Sequence, residues 1–292
     1  MENVNSLKSC WERSPKPSLK VSNYFKVYEE IFGHLVNTKC TFLETGVLDG
    51  GSLFMWREWL GPDARIIGID LNPQAEKWND HGFEIFIGDQ GDPQFWEETF
   101  SKIGSFDAFL DDGGHQSFQQ IITVQEAIKA TKNNCVIAVE DTHSNLYKDF
   151  SKHGNYSFLE YSKDATDILL GSSANTRIFK ERYPKFKNKD SLNLFKKTYK
   201  ISFYSGIVAY HIDFNIDESP KLVRNTEDTS AKQKDFRYEG RSSAKVKWPY
   251  LFKNKIINVK GGDTIFGMIK KNIYKKRVRP FLRDIYLKYF KK

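Results

Sequence analysis

Short apolar runs alternate with amphipathic stretches along most of the chain. Five runs have the length and composition of buried strands: Thr41–Thr45, Arg65–Ile69, Glu84–Ile87, Ala108–Leu110 and Val136–Val139. Around them, apolar residues recur at helical spacing and predict the helices Ser22–Val36, Leu53–Leu60, Pro93–Ile103 and Gln116–Ala130. Strands that alternate with helices form βαβ units. The pattern therefore predicts an α/β fold with a doubly wound, mostly parallel sheet.

The pattern changes after residue 150. Ser157–Leu170 reads as one further helix, and Ile201–Ile212 alternates as one or two strands with a bend at Ser205-Gly206. We expect the last strand of the sheet to be antiparallel. The chain then divides into an N-terminal helical segment (residues 1–40), an α/β domain (residues 41–214) and a C-terminal extension (residues 215–292).

Charge is distributed unevenly between the body and the extension. Residues 221–292 contain 21 Lys and Arg against 6 Asp and Glu, whereas residues 1–220 contain 24 against 31. An acidic body is thus joined to a basic tail, which favours an anionic partner for the tail. Within it, Thr264–Lys292 has the pattern of a basic amphipathic helix interrupted at Pro280, and we expect peripheral contact with a membrane surface. A solvated basic extension is the alternative.

Cysteine usage and hydropathy bear on the compartment. The three cysteines, Cys10, Cys40 and Cys135, form no CxxC pair and no even framework, which favours a reducing compartment. No apolar run reaches the roughly 18 residues needed to span a bilayer. We therefore expect a cytoplasmic protein, peripheral to a membrane if the tail binds one.

Acidic residues end successive predicted strands. They are Asp70, Asp89, the pair Asp111/Asp112 and the pair Glu140/Asp141, with Glu44 near the end of the first strand. The carboxyl ends of parallel strands form the ligand-binding edge of such a sheet. Acids gathered there repel one another unless they bind a cation or a hydroxyl-rich ligand. In one stretch, Phe109–His115, the two acids are followed by two glycines and a histidine, for which a capped turn is the alternative.

A glycine-rich loop follows the first strand. The segment from Glu44 to Ser52, with Gly46 and Gly50, is neither a GxGxxG dinucleotide fingerprint nor a lysine-bearing P-loop. A glycine turn without phosphate chemistry suits S-adenosylmethionine, which has no phosphate. Asp70 is then placed for the ribose hydroxyls, Asp89 and Gln90 for the adenine edge, and Asp111 for the methionine ammonium. The alternatives are a simple turn residue at Asp70 and a tight turn without a ligand at the glycines.

These motifs together resemble a class I S-adenosylmethionine-dependent methyltransferase. The resemblance is to the branch that contains the macrolide-sugar O-methyltransferases, of the mycinamicin and macrocin type, and the cephalosporin-hydroxylase-like proteins. The matching stretches are Phe42–Ser52, Ile66–Pro73, Phe86–Pro93, Leu110–Gln120 and Val139–His143. The resemblance covers roughly residues 20–212, but not the tail. It implies a Rossmann-like fold for residues 41–214, as a methyltransferase domain that binds the cofactor through Glu44, Gly46, Gly50, Ser52, Asp70, Asp89, Gln90 and Asp111.

The resemblance also implies a metal and a base. The metal would be divalent, and its implied ligands are Asp112, Glu140 and Asp141. An all-carboxylate set without cysteine suits Mg²⁺. Adjacent acids such as Glu140 and Asp141 face one metal only if the chain has left the strand there. His115 is the implied general base, with an inconsequential position at a helix start as the alternative. For His143, an orienting role and a surface position both remain open.

The expected reaction is methyl transfer to a sugar hydroxyl, on a glycosylated metabolite or within a surface polysaccharide. Residues 171–199, a polar, lysine-rich connection, are expected to form part of the acceptor wall. The alternatives are methylation of a catechol-like small molecule and a nucleic-acid-binding protein anchored by its tail. Carboxylates in the site would repel phosphates, which argues against nucleic acid. The sequence leaves the oligomeric state open, a homo-oligomer included.

Overall fold

The computed structural model describes residues 6–150, 156–171 and 197–215. Its α-helices in these residues are α1 (Leu7–Glu12), α2 (Tyr24–Phe32), α3 (Gly51–Leu60), α4 (Pro93–Ile103), α5 (Ser117–Ala130) and α6 (Phe158–Gly171). The strands are β1 (Thr41–Thr45), β2 (Arg65–Asp70), β3 (Glu84–Ile87), β4 (Ala108–Asp111), β5 (Val136–Val139), β6 (Thr198–Phe203) and β7 (Val208–Ile212). Short 3-10 helices cover Gly33–Leu35, Pro73–His81, Thr142–Leu146 and Lys148–Phe150.

The predicted strands and helices are confirmed, with shifts of a few residues at their ends. Helix α1 and the 3-10 helix Pro73–His81 are not predicted. The side chain of Asn72 caps this 3-10 helix by accepting from Gln74 N. Residues 216–292 of the C-terminal extension, which include the amphipathic stretch Thr264–Lys292, and residues 172–196 of the expected acceptor wall lie outside the described residues.

Seven strands form one sheet in the order β3-β2-β1-β4-β5-β7-β6. Strands β1 to β5 pair in parallel, whereas β7 runs antiparallel to β5 and β6 antiparallel to β7. Gly206, at a φ of 86°, lies in the turn that joins β6 to β7, where the bend is predicted. The fold is therefore a Rossmann-like α/β sheet with an antiparallel hairpin at one edge, as expected from the sequence.

Helices cover both faces of the sheet, and side-chain alternation divides the core in two. Phe42, Ile66, Leu110 and Ala138 pack on one face with α2 and α3. The opposite face buries their strand neighbours against α4, α5 and α6, with residues such as Leu43, Phe109 and Ile137. Strands covered on both faces are apolar throughout, which explains why their sequence reads as continuous apolar runs.

The N-terminal segment is part of this core. Leu7, Cys10 and Tyr28 are buried in the cluster that also contains α3. Between α1 and α2, an N-terminal strap (residues 14–21) passes over the start of α3, where Ser14 Oγ donates to Gly51 O at 2.8 Å. A Cβ added at Gly51 would lie 2.5 Å from the carbonyl oxygens of Lys16 and Pro17, so this glycine lets the strap pass closely. Cys10, Cys40 and Cys135 are buried free thiols.

In the part of the chain that the structure describes, none of the helices combines the length and the apolar character required to cross a membrane.

Candidate active site

Three acidic side chains are directed to one face of the sheet by strand alternation. Glu44 lies within β1, opposite Leu110 of β4, which in turn lies opposite Ala138 of β5. Asp112 and Glu140 are each two residues further along the chain, directly after the ends of β4 and β5, and both meet the same lysine as Glu44 does. Glu44 is fully buried inside its strand, a position that apolar strands tolerate only when the charge has a partner. Its partners are Ser52 Oγ, which donates to Glu44 Oε2 at 2.6 Å, and a lysine.

That lysine is Lys20 of the N-terminal strap. Its ammonium donates to Asp112 Oδ2 and, at 3.0 Å, to Glu140 Oε1, and it lies 3.6 Å from Glu44 Oε1. The Lys20 side chain is only 2% exposed. The structure thus places a buried cation among three carboxylates that come from three different strands.

Burial and charge shift the pKa values of this cluster. Burial raises the pKa of Glu140 to about 7, although the neighbouring Lys20 acts in the opposite direction. Burial likewise raises the pKa of Glu44 and of Asp112, again against the effect of Lys20. For Lys20 itself, burial lowers the pKa, but the attraction of Glu140, Asp112 and Glu44 outweighs it and the net pKa is raised well above the usual value. Lys20 is therefore a charged ammonium at neutral pH.

A second group of side chains lies on the outer side of Asp112. His115 Nε2 is 4.0 Å from Asp112 Oδ1 and 3.8 Å from Asp141 Oδ2. Single ligand atoms of Asp112, His115 and Asp141 all lie within 4.8 Å of one another. Asp141 and His115 both have positive φ, 54° and 55°, so the chain has left the strand geometry at each. This departure allows Asp141 to lie near Asp112 and His115, while the adjacent Glu140 accepts from Lys20.

Asp141 is held in place by α2 and the β6–β7 turn. Tyr24 OH donates to Asp141 Oδ1 at 2.7 Å and approaches Gly206 O at 3.4 Å. Burial and the hydrogen bond to Asp141 raise the pKa of Tyr24, so that its hydroxyl remains a donor. One oxygen of Asp141 is thereby fixed, and the other faces His115.

The acid before Asp112 points to the opposite face. Asp111 is buried and accepts from Gln90 Nε2 at 3.0 and 3.2 Å and from Gly113 N at 3.2 Å. Burial raises its pKa, while the bond from Gln90 opposes that shift. Gln90 also accepts from Gly114 N at 2.6 Å, so its amide connects the ends of β3 and β4. Two residues expected to contact a cofactor are thus in direct contact with each other.

The glycine loop is organised by Asp70. Its Oδ2 accepts from Val47 N at 2.8 Å and Leu48 N at 3.1 Å, and its Oδ1 accepts from Asn72 N at 2.8 Å. Gly46 has a φ of 90°, and a Cβ there would lie 2.0 Å from Asp112 O. Gly50, with a φ of 77°, lies at the start of α3 against the Trp78 ring. These contacts give both glycines and Asp70 roles in the loop itself, and they bring the loop against the backbone of Asp112.

Two predicted residues lie further out. Asp89 is exposed and its Oδ1 accepts from Gly91 N at 2.7 Å. His143 is half exposed, with Nδ1 3.9 Å from Asp141 Oδ1. The roles assigned to the individual site residues remain predictions.

Sequence reasoning missed Lys20 and Tyr24, because both precede the first strand and the carboxylates to which they donate lie 92 to 120 residues away. The acids themselves were the available signal for such a cation. Three carboxylates that gather at one edge of the sheet require a positive charge nearby.

No family model matches the chain. Three curated relatives are 30% identical over parts of their length. The first is the 8-demethyl-8-(2-methoxy-alpha-L-rhamnosyl)-tetracenomycin-C 3'-O-methyltransferase of Streptomyces olivaceus. Its similarity covers 122 residues, which are 39% of this chain and 31% of that protein. Over 131 residues the chain is similar to the mycinamicin VI 2''-O-methyltransferase of Micromonospora griseorubida, 37% of this chain and 31% of that protein. The third is the demethylmacrocin O-methyltransferase of Streptomyces fradiae, over 95 residues, 30% of this chain and 24% of that protein.

Solved structures show the same fold. MycE, a methyltransferase of the mycinamycin biosynthetic pathway in complex with Mg, SAH and mycinamycin VI, superposes with a TM-score of 0.62 at 18% identity, over 77% of this chain and 57% of MycE. A second crystal form with Mg and SAH gives a TM-score of 0.64, over 78% and 60%. The chain spans less than a third of the length of the curated relatives above. The resemblance to the macrolide-sugar O-methyltransferases is confirmed in sequence and in fold.

Proposed function

We propose that the protein is an S-adenosylmethionine-dependent O-methyltransferase that methylates a sugar hydroxyl of a glycosylated metabolite. The main support is the convergence of Asp112, His115 and Asp141 within 4.8 Å beside the glycine loop. One relative with 30% identity is named as the methyltransferase of a rhamnosyl-tetracenomycin, which supports the choice of a sugar-bearing acceptor.

The donor atoms fit a divalent cation. Asp112, Glu140 and Asp141 offer carboxylate oxygens, and Glu140 Oε2 is buried without a hydrogen-bond partner among the described residues. Such hard oxygen ligands are those that Mg²⁺ prefers. When bound, the cation would lower the pKa of an acceptor hydroxyl, and S-adenosylmethionine would supply the methyl group.

The chain's own contribution is a base and a fixed geometry. His115 Nε2 faces Asp112 and Asp141, and the His115 side chain is 23% exposed. This nitrogen can therefore accept the proton of an acceptor hydroxyl. Tyr24 fixes Asp141, and Gln90 fixes Asp111. Side chains held in one orientation favour in-line transfer, because they reduce the entropy that the methyl donor and the acceptor hydroxyl must lose to reach that geometry.

The test is methyl transfer by the full-length protein. S-adenosylmethionine is supplied with glycosylated macrolides, free oligosaccharides or catechols, and mass spectrometry detects the gain of one methyl group. We expect transfer to a glycosylated acceptor and its loss in EDTA. Asp112→Asn and His115→Ala are expected to lower turnover by about 100-fold or more while calorimetry still detects cofactor binding.

Three results would contradict the proposal in different ways. Full activity in EDTA would show that the reaction needs no metal. Near-normal turnover of His115→Ala would show that His115 is not the base. Methylation of the catechol alone would show that the acceptor is not a sugar. Methylation of the oligosaccharides would instead extend the acceptor to polysaccharides.

A further inference from the structure

The cation that the structure contains and the cation that the site is proposed to bind use the same oxygens. Lys20 donates to Asp112 Oδ2 and to Glu140 Oε1, and Asp112 and Glu140 are two of the three proposed metal ligands. A unit positive charge within hydrogen-bond distance of both carboxylates opposes a divalent ion there, because like charges at such separations repel strongly in a site shielded from water.

We propose that Lys20 is a further residue of the active site, which sets its affinity for the divalent cation by competing for Asp112 and Glu140. The inference rests on the proposed metal-dependent function. The ammonium supplies the positive charge that two buried carboxylates, Glu44 and Glu140, and the partly exposed Asp112 require, and binding of a metal to Asp112 and Glu140 displaces it.

The N-terminal strap is built so that Lys20 can leave without disturbing the fold. Leu19 is 94% exposed and Val21 45% exposed, so Lys20 is inserted while its neighbours stay at the surface. Among the described residues, no backbone–backbone hydrogen bond involves residues 15–20. The strap is fastened instead through side chains: Ser14 Oγ donates to Gly51 O, and Trp11 Nε1 donates to Ser18 Oγ. Displacement therefore costs few contacts other than the ion pairs themselves and the approach of Lys20 Nζ to the Tyr28 ring, 5.9 Å from its centroid.

The first experiment measures Mg²⁺ affinity by calorimetry on the full-length protein and on Lys20→Met. Removal of a competing unit charge is expected to tighten Mg²⁺ binding by about tenfold or more. Lys16→Met is the matched control, since Lys16 is an exposed lysine of the same strap whose Nζ lies over the Trp78 ring. Its affinity should equal that of the wild type.

The second experiment needs no variant, so it decides the question even if Lys20→Met does not fold. Trypsin cleaves after an accessible lysine, and Lys20 is buried among the carboxylates. Saturating Mg²⁺ is expected to accelerate cleavage of the Lys20–Val21 bond severalfold, followed by mass spectrometry, with a chromogenic substrate to correct for any effect of Mg²⁺ on the protease.

The outcomes separate this inference from the proposed function. The role of Lys20 is overturned if Lys20→Met binds Mg²⁺ no more tightly than the wild type does. It is also overturned if Mg²⁺ does not accelerate the cleavage. Either result leaves the proposed metal site unaffected. Absence of Mg²⁺ binding in both proteins, with S-adenosylmethionine still bound, overturns the metal and the competition together.

Discussion

At the scale of single residues, Tyr24 shows how the site depends on contacts made far along the chain. Its hydroxyl reaches Asp141 Oδ1 from α2, 117 residues away in sequence. The ring is buried among Tyr28 and the rest of the core, so the hydroxyl has little freedom to move. A carboxylate held at one oxygen presents the other in a constant direction, here toward His115.

Tyr24→Phe tests this positioning. Loss of a donor to a partly buried carboxylate is expected to lower the free energy of unfolding by about 1–2 kcal/mol and to weaken Mg²⁺ binding, as followed by urea denaturation and calorimetry. Tyr204→Phe is the control, because Tyr204 OH donates to Glu30 Oε1 at 2.7 Å in an exposed pair. It should cost a few tenths of a kcal/mol. Equal losses of stability with unchanged Mg²⁺ affinity would show that Tyr24 has no special role.

At the scale of elements, the strands could be predicted from the sequence, whereas the N-terminal strap that brings Lys20 to the site could not. Runs such as Ile66–Ile69 are buried on both faces, and their apolar residues identify them without any knowledge of the fold. The acids at their ends follow from the same reading. Lys20 has no such local signal, since its neighbours Leu19 and Val21 are exposed and the two carboxylates to which it donates lie 92 and 120 residues away. Local patterns specify elements, whereas pairings between distant residues depend on topology.

The packing of the glycine loop on the end of β4 leads to a second prediction. Gly46→Ala and Gly82→Ala both place a side chain at positive φ, 90° and 77°. A Cβ at Gly82 meets nothing within 4 Å, whereas one at Gly46 would lie 2.0 Å from Asp112 O. Gly82→Ala should therefore cost about 1 kcal/mol, and Gly46→Ala about 3 kcal/mol or more. Urea denaturation of the two variants measures the difference. Similar losses of stability in the two variants would mean that the glycine loop can move away from the backbone of Asp112 at little cost in free energy.

The β6–β7 hairpin gives a pH prediction. Burial, together with the nearby Lys200 and His34, lowers the pKa of His211 to about 4, while Glu30 acts in the opposite direction. The unfolded chain takes up this proton near the usual value of 6.5. Between these values the unfolded state binds more protons, so the contribution of His211 to stability is complete above pH 6.5 and is lost as the pH falls toward 4.

His211→Gln keeps a polar partner for Ser202 Oγ, which lies 3.2 Å from His211 Nε2, and removes the titration. Thermal unfolding from pH 7 to pH 4 should show a shallower loss of stability in this variant than in the wild type. Parallel curves for the two proteins would exclude His211 as a source of acid sensitivity.

At the scale of the whole molecule, the charge is divided along the sequence. Residues 221–292 hold 21 Lys and Arg against 6 Asp and Glu, while the preceding residues have an excess of acids. The basic stretch lies outside the described residues, so its partner is a prediction from sequence alone. Four lysines, Lys270, Lys271, Lys275 and Lys276, accompany the apolar residues Ile265, Phe266, Met268, Ile269, Ile273 and Tyr274.

A basic amphipathic segment binds anionic bilayers through both its charge and its apolar residues. We propose that the full-length protein sediments with vesicles that contain phosphatidylserine, but not with neutral vesicles. Each lysine near an anionic surface contributes about 1 kcal/mol, so replacement of the four lysines by glutamine should lower the partition coefficient by at least tenfold. Because salt screens exposed charges, raising the ionic strength should weaken binding of the wild type more than that of the variant. Binding that is equal on neutral vesicles, or insensitive to salt and to the four replacements, would assign the tail to another partner.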